Sequence, residues 1–390
     1  MRIGINGLDI APQYRGGINS YLRGLLDGFA RQETDHRFVI FAQPGNVEWF
    51  AGDRDRFDIE VIDHYANWRY QAMRGMLLTG SPDLFKAGVD VLYGDIARRF
   101  DRACDLIYTP TTVLFPYNNA KPTLISMHDI QQFHFPEFFD RRELRRRHIT
   151  FNLSARHANF VQASSAFIKA DLLEHFPQLG PDQIVVISEG VDIPTFSRPR
   201  ETAYLLEKYG LPERFLFFPA QLWHHKNHLT VLKAIEGIKR RHGQTIPLVM
   251  TGAKSTAYQP IMDFIQSHGM DFVHYLGVVP FDDLLALYQQ ARFLITAVLY
   301  ESNSLPVLEA AASGTAIIAS DTPPNREVAE HLQLNLFDPR SPEALEELLL
   351  GIWDDQELIE GQQAHNQQAI ERYSWDAVAR QYLSFVERAC

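Results

Sequence analysis

The sequence predicts an α/β protein made of two doubly wound domains. Three observations carry this expectation: short apolar strands alternate with amphipathic helices, the alternation breaks at 190–203 and then restarts, and 390 residues exceed what one ordinary core supports. Strands separated by helices form parallel sheets covered on both faces, and ligands collect beyond the carboxyl ends of such strands. Two domains of this kind are expected to face one another across a cleft.

In chain order, Arg2 to Asn6 reads as the first strand. Residues 16–32 follow with Ile18, Tyr21, Leu22, Leu25, Leu26 and Phe29 at the three-and-four spacing of one helix face. Apolar strands are then read at 36–42, 103–110, 122–129, 159–164 and 183–188, with a long helix over about 141–158. Residues 44–103 are less readable. The run GVDIPTFSRPRETA (190–203) mixes prolines with polar residues, as a linker does. Beyond it, strands at 214–220, 246–252, 271–277, 292–297 and 315–320 alternate with helices at 227–243, 258–269, 282–291 and 305–314. The domains are therefore expected at 1–195 and 196–373.

Composition narrows the function. Apolar residues make up 46% and charged residues 22%, which suits a folded chain and argues against long disorder. The net charge of −11 leaves no basic footprint for nucleic acid. Cys104 and Cys390 build neither a disulfide framework nor a thiolate zinc site, in keeping with a reducing compartment. The start of the chain lacks the apolar stretch of a secretion signal, and no segment approaches the roughly 18 apolar residues that span a bilayer. The expected location is cytoplasmic, with peripheral contact at the inner face of the membrane left open.

The stretch LYESNSLPVLEAAASG (299–314) places Glu301 and Glu309 on either side of Ser302, Asn303, Ser304 and Leu305. Pro306 suits a first helical turn, with Ser304 or Leu305 as the cap. The unpaired N–H groups of that turn, backed by the helix dipole, would hold a phosphate or diphosphate. Glutamates accept hydroxyl protons from sugar or ribose, so a nucleotide sugar, charged in the middle with a polyol at each end, matches the spacing. Alone, two glutamates so spaced read as a loop residue and a solvated helix position. Gly16 and Gly17, where the first strand meets the first helix, would let the backbone approach a donor, or simply make a turn. His128 follows an apolar strand at the carboxyl edge of the first sheet, where a core histidine is the plain alternative.

The segment YESNSLPVLEAAASGTAIIAS (300–320) resembles the E-G-F-G-L-P-x-L-E-A-x-A-x-G-x-P-V-x-x-S pattern of the retaining GT-B glycosyltransferases of family 4, glycosyltransferase group 1. The similarity extends in order through GG (16–17), MHDI (127–130), SEGVD (188–192), PAQLWHHKNH (219–228), TG (251–252), YLGVVPFDDLLALYQQA (275–291) and the closing YSWDAVARQYLSF, and so covers nearly the whole chain. It implies two Rossmann-like domains, the first gripping an acceptor and the second a nucleotide-diphosphate sugar, with a helix at 374–390 packing back on the first. It also implies sugar transfer with retention and without a bound metal or cofactor. Carried over by position, Glu301 orients the donor sugar, Glu309 the ribose, and Lys226 with the amides of 302–305 the diphosphate, while His128 orients the sugar. Gly16 and Gly17 approach the donor. Where most relatives carry an arginine five residues before the lysine, this chain has Gln221, so His224 or His225 assists, or Lys226 and the turn suffice. The PAQLWHHKNH form resembles mannosyl-type and polysaccharide transferases, which favours GDP-mannose over UDP- or dTDP-sugars and a bacterial surface glycan or lipid-linked glycan as acceptor.

The run RRELRRRH (141–148) puts five arginines on a helix, with Arg142, Arg145 and Arg146 the candidates for meeting a lipid diphosphate or an anionic membrane. A solvated face interleaved by Glu143 is the equal alternative. Other patterns fail: the DRD at 53–55 lies away from any strand end, His224 and His228 have no third ligand, and there is no G-x-G-x-x-G, Walker loop or G-x-S-x-G elbow. Two rival classes stay open, an epimerase or phosphorylase on the same plan and a non-catalytic nucleotide-sugar-binding protein.

Overall fold

The computed structural model describes residues 1–11, 17–53, 55–63 and 67–389. Gly16, the middle residue of the DRD run (Arg54) and Cys390 lie outside the described residues. The chain forms two compact units, Met1–Glu189 with Trp375–Cys390, and Gly190–Ser374. The division falls at the start of the expected linker, and hydrogen bonding explains why. The Val191 N–H donates to the Tyr373 carbonyl (2.8 Å), and Val191 bridges Ser374, so the linker already belongs to the second unit.

The first unit holds a seven-stranded parallel sheet of β1 (Arg2–Asn6), β2 (Arg37–Ala42), β3 (Asp58–Val61), β4 (Leu106–Thr109), β5 (Thr123–Ser126), β6 (Phe160–Ala163) and β7 (Ile184–Val186), ordered β3-β2-β1-β4-β5-β6-β7. The second holds a six-stranded parallel sheet of β8 (Leu216–Pro219), β9 (Leu248–Thr251), β10 (Val273–Tyr275), β11 (Phe293–Thr296), β12 (Ala316–Ser320) and β13 (Asn335–Phe337), ordered β10-β9-β8-β11-β12-β13. Each sheet winds one way from its first strand and then reverses, between β1 and β4 and between β8 and β11. A crevice opens at the carboxyl edge of such a reversal, because the loops of the two central strands leave toward opposite faces.

The unread stretch 44–103 contains β3 and two helices, Asn67–Thr79 and Pro82–Ala103. The second buries Phe85, Val89, Tyr93, Ile96 and Phe100, a helical stripe blurred in the sequence by Leu84 and Val91, which are exposed on other faces. Its start is capped by the Ser81 hydroxyl, which accepts the Leu84 N–H at 3.3 Å.

The last helix, Trp375–Ala389, lies along Gly17–Arg31 and completes the core of the first unit. Gly24 and Gly28 make the approach possible: a Cβ at Gly24 would sit 2.0 Å from the Trp375 ring, and one at Gly28 2.4 Å from the Trp375 carbonyl oxygen. Tyr382 reaches from this helix to the Tyr21 hydroxyl, which also meets those of Tyr108 (2.7 Å) and Ser126 (3.3 Å). Burying three phenols is tolerable only because they satisfy one another. Among the described residues, no helix is long and apolar enough to cross a membrane.

Candidate active site

In the second unit, the loops that follow β8 and β11 are tied together beside the reversal point. The Leu299 N–H donates to the His225 carbonyl (2.9 Å), and the Asn227 amide donates to the carbonyls of Ala297 (3.0 Å) and Pro339 (2.7 Å). Asn227 does this from a left-handed conformation (φ 59°), which asparagine tolerates better than most residues, and it closes the short turn His224–Lys226 before the His228–His242 helix begins. That turn carries Lys226, whose Nζ lies 3.5 Å from a carboxylate oxygen of the buried Glu301. Sequence positions 75 residues apart thus become neighbours.

Helix Leu305–Ser313 starts at the same edge, with Ser304 as its cap and Pro306 in its first turn. The Ser304 side chain makes no capping hydrogen bond, and its hydroxyl is fully buried with no partner among the described residues. The expectation that all amides of 302–305 are available needs correction: the Ser304 N–H donates to the side-chain oxygen of Asn303 at 2.9 Å. Glu309 is half-buried and accepts the Tyr288 hydroxyl at 2.5 Å. Burial pushes the Glu309 carboxyl above the ordinary glutamate value, with the Tyr288 bond opposing the rise.

Gln221 accepts the Trp223 indole N–H on its carbonyl oxygen (3.0 Å), which turns the amide nitrogen into the group with donors to offer. Its loop crosses Gly252 so closely that a Cβ there would meet the Ala220 carbonyl oxygen at 2.4 Å, and Gly252 has φ +132°. His225 cannot replace the missing arginine charge. Burial, helped by the neighbouring Lys226, drives its imidazole down to about 3, so it is neutral at physiological pH. His228 is likewise driven down to about 3 by burial and then Lys226, and it stacks on Phe218 at 4.1 Å.

In the first unit, His128 follows β5. Its Nδ1 meets Glu189 Oε1 at 3.2 Å and its Nε2 donates to the Pro110 carbonyl at 3.1 Å, while its ring packs edge-on to Tyr21 at 4.8 Å. A carboxylate and a carbonyl both accept, so the arrangement favours the doubly protonated, cationic ring. Burial lowers the His128 value, but the hydrogen bond and charge of Glu189 outweigh it, and the net direction is up. Either nitrogen must exchange a protein partner before it can serve a sugar hydroxyl. Glu189 is the residue sequence reading left out. Its signal was the motif SEGVD at a strand end, but the contact spans 61 residues.

Gly17 begins the first helix after β1, and a Cβ there would meet nothing within 4 Å. On the helix Arg141–His157, Arg146 donates to both oxygens of Glu143 (2.6 and 2.8 Å), Arg145 donates to the Leu78 carbonyl (3.3 Å), and Arg142 is exposed. Among the described residues, one group has the makings of a metal site, His134, Asp171 and His175, and its imidazoles lie 2.8 and 3.2 Å from the Asp171 carboxylate. It belongs to neither loop of the Lys226–Glu301 pair.

The ammonium and the carboxylate thus stand on the two loops at the reversal of a parallel sheet, the place where proteins of this plan bind ligands. Comparison with known proteins agrees in class. Residues 206–372 match the model of Glycosyl transferases group 1. O-antigen chain mannosyltransferase B of Escherichia coli is 23% identical over 283 residues, covering 72% of this chain and 74% of its own. O-antigen chain mannosyltransferase RfbU of Salmonella typhimurium is 25% identical over 219 residues, 56% of this chain and 58% of its own. In fold, the chain is similar to Anabaena HepE solved with UDP and glucose (TM-score 0.74, 17% identity, all of both chains) and to WaaG, a glycosyltransferase involved in lipopolysaccharide biosynthesis (TM-score 0.68, 12% identity, 97% of this chain and 98% of the other). The second unit thus carries the match to the group 1 glycosyltransferase model, and the chain as a whole has the GT-B fold.

Proposed function

We propose that this glycosyltransferase moves a hexose, with mannose from GDP-mannose favoured, onto a glycan or lipid-linked glycan acceptor of a bacterial surface polysaccharide, with retention as in family 4 and without a metal. The observation that carries this reading is the Lys226–Glu301 pair at the reversal point of the second sheet, beside the unsatisfied hydroxyl of Ser304 at a helix start. The names of the O-antigen mannosyltransferases support the sugar and the product class.

In this reading the donor diphosphate takes Lys226 away from Glu301 and accepts the Ser304 hydroxyl and the Gln221 amide. Glu301, released, accepts hydroxyls of the sugar. As the bond from the sugar C1 to the diphosphate oxygen breaks, charge grows on that oxygen, and an ammonium already in place stabilises it without reorganisation. The acceptor hydroxyl bonds to C1 on the same face, and its proton passes to the departing phosphate oxygen. Lys226 supplies here the charge that a metal would supply elsewhere. Glu309 has its Tyr288 bond to exchange before it meets a ribose hydroxyl.

Thermal melts of the full chain with GDP-mannose, UDP-glucose and dTDP-glucose test the donor, since a ligand bound at 100 times its Kd stabilises by about 2.7 kcal/mol. GDP-mannose is expected to give the largest shift, and mass analysis of an incubation without acceptor is expected to leave it intact. A shift with no nucleotide sugar would count against the transferase reading, and donor consumed without acceptor would favour the epimerase or phosphorylase class.

A further inference from the structure

The first unit carries a cluster that the transfer chemistry does not use. Helix Ala166–His175, capped by the Ser165 hydroxyl, places Asp171 and His175 four residues apart and so on one face. The short helix Gln131–His134, which begins just beyond His128, brings His134 to the same spot from 37 positions away in sequence. One ligand atom from each of the three residues lies within 4.8 Å of the other two. His134 Nε2 is 2.8 Å from both carboxylate oxygens of Asp171, and His175 Nδ1 is 3.2 Å from one of them. The two imidazole rings meet edge to face at 5.4 Å.

Burial is graded across the cluster. The Asp171 side chain is 3% exposed, while His134 and His175 keep 31% and 21% of theirs in solvent. Phe133 packs on His175 at 4.5 Å and on the fully buried Phe176 at 5.6 Å. A carboxylate so placed is costly without partners. Imidazoles serve it in either of two ways: they donate an N–H, or they turn a lone pair to a metal that the carboxylate also binds. A tetrahedral zinc about 2.0–2.1 Å from each ligand separates neighbouring ligand atoms by about 3.3 Å. The His175 contact already has nearly that spacing, and the His134 contact, on the more exposed ring at the end of a four-residue helix, has about 0.5 Å to open. Two nitrogens and one carboxylate oxygen suit zinc, whereas calcium and magnesium take sets of oxygens. A six-coordinate ion would need three further positions beside a nearly covered carboxylate. A four-coordinate one needs a single water, which the exposed edges of the two rings admit.

We propose that His134, Asp171 and His175 bind one zinc ion, with water as the fourth ligand, and that the ion clips the segment beyond β5 to helix Ala166–His175. On binding, each ligating nitrogen presents its lone pair, and the proton it had given to Asp171 passes to the other ring nitrogen or to solvent. The clipped segment contains His128 and Asp129, which accepts from Arg147 at 3.2 Å, so the ion stiffens the carboxyl edge of the first sheet. It takes no part in the transfer. Charge on the departing diphosphate is met by Lys226 in the other unit, and failure of the zinc site would leave the transferase reading as it stands.

Calorimetric titration of zinc chloride into the full chain, stripped with EDTA and carrying no histidine tag, tests the site. One equivalent is expected to bind with a Kd below about 10 μM, and magnesium is expected not to bind there. Loss of an outer-shell partner alone lowers metal affinity about 10–100-fold. H134Q and H175Q, which remove a ligand while keeping a donor for Asp171, are therefore each expected to lose at least tenfold in zinc affinity. Zinc is expected to raise the melting temperature of the unaltered chain and not that of either variant. Cobalt(II) in place of zinc reads the geometry in the unaltered chain, whatever the variants do, and the intense visible d–d bands of a four-coordinate ion are expected. Zinc is also expected to slow hydrogen exchange over 130–138 and 170–176 while leaving 190–374 unchanged. Absence of a one-to-one zinc complex would overturn the proposal. So would undiminished affinity in either variant, which marks an adventitious ion only, cobalt bands as weak as those of the hexaaqua ion, or exchange over 130–138 that zinc leaves unaltered.

Discussion

A single ionised residue has different work in the two units. Lys226 is aimed by a carboxylate it is proposed to leave when a diphosphate arrives, whereas His128 is held between two acceptors that favour its protonated form. Because its value is raised, the Glu189–His128 bond contributes its full stability below about pH 6.5, the ordinary histidine value, and loses it as pH rises through the higher folded value. Replacing Glu189 by Gln is therefore expected to lower the melting temperature more at pH 5.5 than at pH 9, and to bring the His128 titration down in NMR spectra. A difference between variant and wild type that is the same at both pH values would contradict this. Residues of the candidate site that share one local pattern, such as Glu301 to Glu309, could be read from the sequence. Glu189 and the tie from Leu299 to His225 could not, because neither partner announces the other across 61 or 74 positions. The occupied Ser304 amide was hidden for another reason: it depends on which way the Asn303 side chain turns.

Among the elements, the strands were legible because a strand buried on both faces is a continuous apolar run. All four residues of β4, β5, β9 and β11 are buried. The edge strand β3, with Asp58 and Glu60, and the shallow helix Asn67–Thr79 gave no such run, and they lie in the stretch that sequence reading left open. The closing helix shows how far apart the parts of one element pair can stand. Its seat on Gly17–Arg31 depends on Gly28, where alanine would ordinarily stabilise a helix by about 1 kcal/mol. Here the added Cβ would lie 2.4 Å from the Trp375 carbonyl and 3.1 Å from the Ala379 Cβ, and the first of these is backbone that cannot turn aside. Gly28→Ala is expected to destabilise the first unit by about 1–3 kcal/mol, the usual cost of overpacking. Chemical denaturation measures it, and a gain in stability would show that the two helices can separate at little cost.

At the scale of the molecule, each unit has its own parallel sheet and its own buried clusters, and the linker is bonded into the second. Residues 190–374 alone are therefore expected to melt cooperatively, while a chain ending at Ser374 is expected to lose the first unit's cooperative transition, because Trp375, Tyr382 and Val386 are core residues there. Calorimetry of the two truncated forms decides it, and a normal transition from the 1–374 form would contradict the role given to the last helix. The central claim is that a nucleotide diphosphate is held where Lys226, the Ser304 hydroxyl and the Leu305–Ser313 helix start come together. Titration of GDP into the full chain and into Lys226→Ala tests it most directly. The affinity is predicted to fall at least tenfold in the variant at an unchanged melting temperature without ligand, and equal dissociation constants for the two proteins would contradict the account.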